Sequence, residues 1–331
     1  PGLDQVAHVT SDTLWSLRGN PRDIVVLGGG PIACELAQAM SELGIKVTLV
    51  GRNKRLLPKE DEAVGSAVLK ALSDSGVRVL VGAQAMTAER EGDQQRVWVQ
   101  HGGQTEALSF DVLLLAVGRT ARITGYGLEA LGIGITRQGT IEANEYLQTR
   151  YPNIYACGDV LGPYQFTHVA AHQAWYAAVN ALFGALKRFK ADYRVIPAVT
   201  FTHPEVARVG LNQQEAKQQG IAFEVSRFEL EELDRAITAD EREGFVEVLT
   251  VPGKDKILGV TIVASHAGEM LAEFTLAMKH GLGLKKILGT IHPYPTWSEA
   301  AKYVAGVWQK AHAPEAALRW AERYHRWQRG G

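Results

Sequence analysis

The stretch DIVVLGGGPIACELAQAMSELGIKVTLVGR, from Asp23 to Arg52, decides the fold. An apolar segment meets three glycines, a helical pattern follows, and a second apolar segment closes the unit. Ile32, Leu36, Ala39, Met40 and Leu43 recur at helical spacing, and Gly44 ends the helix. The stretch therefore reads as one strand–helix–strand unit. At its first turn, Gly28, Gly30 and Ala33 form GxGxxA. Gly28 permits the tight turn, Gly30 lets the backbone approach a pyrophosphate, and the small Ala33 lets helix and strand pack closely. Free N–H groups and the positive helix end then bind the diphosphate. A lone glycine turn is weak support, but here the strand–turn–helix–strand context is complete, and dinucleotide binding is the expectation.

The second apolar segment ends at Val50, where an NAD-specific site usually carries an acidic residue for the ribose hydroxyls. Here the chain reads VGRNKRLL, with Gly51 followed by Arg52, Lys54 and Arg55. An arginine at this place accommodates the 2′-phosphate of NADP. Arg52 is the first candidate and Arg55 the second, with NADP preferred and NAD the alternative. Cys34, just inside the helix, reads as a small packing residue rather than a reactive thiol.

Working outward, a helix over roughly 61–75 leads into VRVLVG. RVWVQ alternates as a half-exposed strand and DVLLLAVG reads as a buried one, so a first domain, 22–117, closes near Val117. Segment 118–193 holds the short strands GTIEA and NIYACGDV, then the helical run HVAAHQAWYAAVNALFGAL. In 194–331, VARVG, FEVSRFEL, FVEVLTV and ILGVTIV are strand-like, and helical runs follow at roughly 266–281 and 298–310. A mostly antiparallel α+β domain is expected there. In the tail, Ala317, Trp320, Tyr324 and Trp327 share one helical face, read as packing on its own domain or a partner subunit in preference to a membrane surface. The start, PGLDQVAHVTSDTLW, lacks an initiator methionine and reads as a loop entering mid-protein.

The 331 residues are 46% hydrophobic and 21% charged with a net charge of −1, so no global field favours nucleic acid or an anionic membrane. No apolar stretch approaches a membrane span, and no signal-peptide pattern opens the chain. Cys34 and Cys157 stand alone, outside any CxxC or Cys/His cluster, which predicts neither a disulfide scaffold nor a metal site and fits a reducing cytoplasm. GxSxG, Walker A and HExxH patterns are absent, and His8, His101 and His280 are isolated.

Taken in order, GGGPIACELA, AVGR, QTRYPNIYACGDV, FTHPEVARVGL and HPYPTWSE resemble the motifs of the pyridine nucleotide–disulfide oxidoreductases, the flavoprotein disulfide reductase family. The likeness covers nearly the whole chain and is nearest the mercuric-reductase-like and lipoamide-dehydrogenase-like branch. It implies an α/β architecture with a Rossmann-like NAD(P)-binding domain (22–117), the C-terminal part of an FAD domain (118–193) and an interface domain with a helical tail (194–331), with 1–21 a linker and FAD-domain remnant. Residue by residue, it implies that Gly28, Gly30 and Ala33 hold the NADP pyrophosphate and that Glu35 lies near nicotinamide and flavin. Gly118 and Arg119 belong to the motif joining the nucleotide domains. Gly158 and Asp159 hold the FAD ribitol chain, Thr167 stands at a helix end near the isoalloxazine, and Val199 touches the nicotinamide.

Two features of the family are not in this sequence: a first GxGxxG for the FAD adenylate and a CxxxxC redox disulfide. The expectation is a fragment starting mid-protein. In relatives the HPYPTWSE motif reaches across the dimer and works as acid/base on the partner's thiol. Aligning PTWSE with the family's PTLSE puts Tyr294 at the base position and Glu299 as its orienting carboxylate, with His292 a capping or packing residue. A tyrosine titrates near 10, so it donates a hydrogen bond or binds a metal rather than shuttling a thiol proton. The expected protein is thus a homodimeric, cytoplasmic reductase of redox homeostasis, whose intact parent passes hydride from NADPH to FAD and on, through a disulfide, to a small-molecule or metal-ion acceptor. The alternatives are a disulfide-free NAD(P)H oxidase, diaphorase or transhydrogenase, and a non-catalytic nucleotide-binding, dimerising fragment.

Overall fold

The computed structural model describes residues 1–330. The side chains of Glu315 and of Ala317, part of the tail's apolar pattern, lie outside the described residues. The chain forms two compact units, one joining Pro1–Val117 to residues 197 onward, the other Gly118–Ile196.

In the first unit the chain runs β1 (His8–Thr10), β2 (Asp23–Leu27), α1 (Pro31–Glu42), β3 (Lys46–Gly51), α2 (Glu62–Asp74), β4 (Arg78–Val81), β5 (Gln84–Glu91), β6 (Gln94–His101), β7 (Gln104–Phe110) and β8 (Val112–Leu115). Five strands make a parallel sheet in the order β1-β8-β2-β3-β4. The chain leaves β2 toward β3 and β4 on one side and returns to β8 on the other, so β2 is the switch point of the sheet. Ligands of open α/β sheets bind at the carboxyl end of such a strand. Register aligns the ends: Leu27 pairs with both Val50 and Leu115, which brings the loops at Gly28, Gly51 and Ala116 to one edge.

Helix α1 buries Ala33, Cys34, Ala37 and Gln38. The face expected from periodicity was Ile32, Leu36, Ala39, Met40 and Leu43, yet Leu36 and Met40 pack only at the margin and Leu43 is exposed. A helix lying close on a sheet needs small residues at the contact, so the larger ones are displaced to its flanks. The antiparallel sheet β5-β6-β7 covers the other face of the parallel sheet, through Ala88, Val97, Val99, Leu108 and Phe110 against Val25, Val50 and Leu113. Residues 1–21, expected as a linker, contribute strand β1, because His8–Thr10 finds an open edge beside Leu113–Leu115.

The second unit contains α3 (Leu128–Leu131), α4 (Thr167–Phe183) and a small core of Leu128, Ile133, Ile141 and Ala156. The short strands expected there reduce to two bridges, Ile135 with Ile141 and Gln148 with Tyr155. Each segment finds only a single-residue partner, too little to build a ladder.

The first unit resumes with β9 (Pro197–Thr200), β10 (Glu205–Gly210), α5 (Gln213–Gln218), β11 (Glu224–Glu229), α6 (Asp234–Ala239), β12 (Phe245–Thr250), β13 (Ile257–Ala264), α7 (Ala267–Lys279), α8 (Leu284–Leu288), α9 (Glu299–Ala311) and α10 (Glu315–Gln328). The strands form an antiparallel sheet, β11-β12-β13-β10-β9, backed by α7 and α9. Its residues Val206, Phe245 and Val263 share one core with Ala33, Leu49 and Val68. No described helix is long and apolar enough to cross a membrane.

Candidate functional site

The glycine turn sits at the switch point. Gly28 has φ 138°, and a Cβ there would run into the Ala116 carbonyl and reach 3.2 Å from the Ala33 Cβ. Only glycine fits. Gly30 is different: its φ of −89° is ordinary, and nothing lies within 4 Å of where its Cβ would be. The loop is closed beneath Gly28 and open above Gly30. No side chain caps α1, Pro31 occupies its first turn, and the Cys34 N–H is the first to find a helical acceptor, at Gly30 O, 3.1 Å. The N–H groups of Ile32 and Ala33 are thus left to an outside acceptor. Buried Ala33 supplies the close helix contact expected of it.

Beyond β3, Arg52 and Lys54 are exposed and have no hydrogen-bond or ion-pair partner among the described residues. Arg55 does not join them. Its Nη2 donates to Pro58 O (3.2 Å), Glu60 O (3.1 Å) and Gln214 Oε1. Arg55, expected as the second phosphate ligand, is a loop brace through Nη2, which meets three carbonyl acceptors, while its buried Nε has no hydrogen-bond partner among the described residues. Asp61 extends the brace, accepting from the N–H of Gln213 (3.0 Å) and Gln214 (2.9 Å) at the start of α5.

Glu35, in the second turn of α1, is half-buried and accepts the Phe201 N–H at 2.8 Å. Burial pushes its carboxyl above the usual range, with the Phe201 hydrogen bond opposing. Phe201 lies two residues past Val199, so the fold brings Glu35 and β9 together beside the glycine turn. Gln38, one turn on, holds the His203 backbone, its Nε2 donating to the carbonyl (2.9 Å) and its Oε1 accepting from the N–H (2.8 Å). Cys34 is inert: burial, aided by Glu35, pushes its thiol up to about 12.

In the second unit, Arg119 Nη1 stands 3.2 Å from Asp159 Oδ2 and its Nη2 donates to Gln165 O at 2.5 Å. The Gly158 N–H donates to Gln173 Oε1 (2.6 Å), with Gly158 at φ 82°. Asp159 opens a 3₁₀ turn rather than ending a strand. Thr167 is exposed at the start of α4, which has no side-chain cap. Gly118 has φ 137° and open space around its Cβ position.

In the TIHPYPTWSEA corner, the Tyr294 hydroxyl donates to Asp234 Oδ2 at 2.9 Å. The expected direct pairing with Glu299 is not formed: Glu299 is buried, its Oε2 accepting the Thr296 N–H at 3.2 Å. The carboxylate is committed to closing the turn ahead of α9, leaving Asp234 as the nearer acceptor. The hydrogen bond to Asp234, with its charge, raises the Tyr294 pKa. His292 is a packing residue, with Nδ1 3.0 Å from Thr290 O and Nε2 3.1 Å from both Glu273 oxygens. We expect Asp234→Asn to shift the Tyr294 titration down toward the usual tyrosine range. Ultraviolet pH titration, differenced against Tyr294→Phe, measures it, and an unmoved titration would contradict the pairing.

Asp234, Gln38, Asp61 and Gln214 are not marked in the sequence. Each acts on a residue far along the chain, and no local pattern marks it. Among the described residues, no group of three His, Cys, Asp or Glu could hold a metal ion.

The family model described as pyridine nucleotide-disulphide oxidoreductase matches residues 1–174, and that family's dimerisation domain matches 196–305. A mercuric reductase of Bacillus cereus is 37% identical over 302 residues, 91% of this chain and 48% of its own length. A dihydrolipoyl dehydrogenase of Chlamydia muridarum is 33% identical over 295 residues, 88% of this chain and 62% of its own. The Cu(II) complex of the HOCl-induced flavoprotein disulfide reductase RclA from Escherichia coli matches with a TM-score of 0.84 at 26% identity, over 92% of this chain and 68% of that one. The chain spans about half the length of the first of these curated relatives.

Proposed function

The chain belongs to the pyridine nucleotide-disulphide oxidoreductase family, and from that premise we propose that it is the NADPH-binding and dimerising part of an FAD-dependent reductase. The observation that carries this reading is the glycine turn at the sheet's switch point, closed beneath Gly28 and open above Gly30. The residues fit a dinucleotide. The N–H groups of Ile32 and Ala33 would take the pyrophosphate, and the unpaired Arg52, with Lys54 beside it, the 2′-phosphate. Arg55 and Asp61 hold the following loop in place. Glu35 and Val199 border the region where the nicotinamide would lie.

For the flavin, Asp159 would accept ribitol hydroxyls, with Arg119 fixing one carboxylate oxygen. Gly118, Gly158 and Thr167 would line that site. When bound, NADPH supplies a hydride and FAD accepts it. What this chain's residues contribute is binding, orientation and, at Tyr294, a hydrogen-bond donor for the acceptor.

The acceptor we favour is a metal ion or another non-dithiol group. Tyr294 is 68% exposed and its pKa is raised, so it stays protonated at neutral pH and cannot serve as a thiol base. A mercuric reductase and a Cu(II) complex among the relatives support the same class. The interface domain is proposed to form a homodimer.

Arg52→Glu tests the cofactor assignment. NADPH affinity is expected to fall by about tenfold or more, the loss of one charge-assisted contact, while NADH affinity changes little. Equal loss for both cofactors would refute the 2′-phosphate role.

A further inference from the structure

We propose that α10 is a docking helix for an anionic lipid surface, a site independent of the nucleotide-binding reading. Trp320, Tyr324 and Trp327 lie on one face of the helix, with ring centroids 5.6 and 6.1 Å apart along the row. The two tryptophans are 68% and 73% exposed, and no described side chain of α10 is buried. The helix therefore does not pack its aromatic face on its own domain, the first reading its sequence suggested. It also lies beyond residue 305, where the match to the dimerisation domain ends.

The rest of the helix carries a basic excess. Residues 315–329 carry four arginines against two glutamates. Arg326 is tied to Glu322 at 2.9 Å, whereas Arg323 and Arg329 form no ion pair among the described residues. The local excess is positive although the whole chain is near neutral, so the net charge that argued against a membrane does not describe this helix.

The chemistry of the face decides between occupants. A second α10 would need aliphatic knobs over several heptads, and this face offers aromatic rings over 14 residues with Leu318 turned away from them. Pairing two such helices also brings like charges together. Tryptophan and tyrosine rings flanked by arginine suit the headgroup level of a bilayer, where each basic residue near an anionic surface adds about fivefold to binding. The helix would lie in the interface plane, not cross it.

The test is co-sedimentation of the full chain with vesicles of phosphatidylcholine alone and of phosphatidylcholine with phosphatidylglycerol. Binding is expected to the anionic vesicles only, and to weaken at high salt. It should fall at least about tenfold in Trp320→Ala/Trp327→Ala and in Arg323→Glu/Arg329→Glu. All four residues are exposed, and circular dichroism confirms folding of each variant. Absence of binding by the parent chain, or binding that both variants retain, overturns the proposal. So does a loss of oligomeric mass in either variant without vesicle binding by the parent, which would make a second copy the occupant.

Discussion

Gly28→Val is expected to abolish dinucleotide binding, with a loss of about 100-fold or more in affinity, and to destabilise the fold. The two effects share one cause. A β-branched residue at φ 138° is strained by about 1–3 kcal/mol before any collision, and its Cβ would then press on the Ala116 carbonyl at the end of β8. The strand ends that frame the turn would have to separate. Gly30→Val separates binding from folding. Its φ of −89° tolerates a side chain and no protein atom lies within 4 Å of the new Cβ, so the melting temperature should barely change. That Cβ occupies the space over the turn, so affinity should still collapse. Calorimetric titration with NADPH alongside thermal melts reads both. Full binding by a folded Gly30→Val protein would place the dinucleotide elsewhere.

Arg208→Ala is expected to cost about 3–5 kcal/mol of stability, measured by urea unfolding, because it strands two carboxylates. Arg208 Nε lies 2.8 Å from Glu60 Oε2 and Nη1 lies 2.8 Å from Glu215 Oε2, all three side chains being no more than 31% exposed. Burial already pushes the Glu60 carboxyl up, with Arg208 opposing, so losing the arginine raises it further. The sign follows: a carboxyl whose folded pKa exceeds its unfolded value binds protons preferentially in the folded state, so the variant's deficit should shrink as pH falls through that raised pKa. Arg208→Met combined with Glu60→Gln and Glu215→Gln should recover most of the loss. A single variant within about 1 kcal/mol of the parent would mean that the cluster contributes little. Glu60 lies ahead of α2 and Arg208 on β10, so the cluster ties the antiparallel domain to the loop that follows Arg52.

What the sequence disclosed was local. The strand–turn–helix–strand unit, the glycine roles and the antiparallel strands were legible because period and turn chemistry are written within about thirty residues. Strands β5 and β7 escaped, since QAMTAERE and QTEALSF are too polar to stand out, although Gly102 and Gly103, both at positive φ, mark the turn that joins β6 to β7. The buried face of α1 was misread because close packing rewards small residues rather than large ones. Arg55 stands second to Arg52 in sequence, and only the fold reveals that Gln214, 159 residues away, engages it. Tyr294 was found, but its partner Asp234, 60 residues away, was not.

Calorimetric titration of the intact chain with NADPH and with NADH, under the same conditions, reads the nucleotide site itself. Saturable binding of both, tighter for NADPH, is the predicted result, because the glycine turn serves either diphosphate and only Arg52 and Lys54 distinguish the 2′-phosphate. Absence of binding by either cofactor, or tighter binding of NADH, would rule out an NADPH site at this turn.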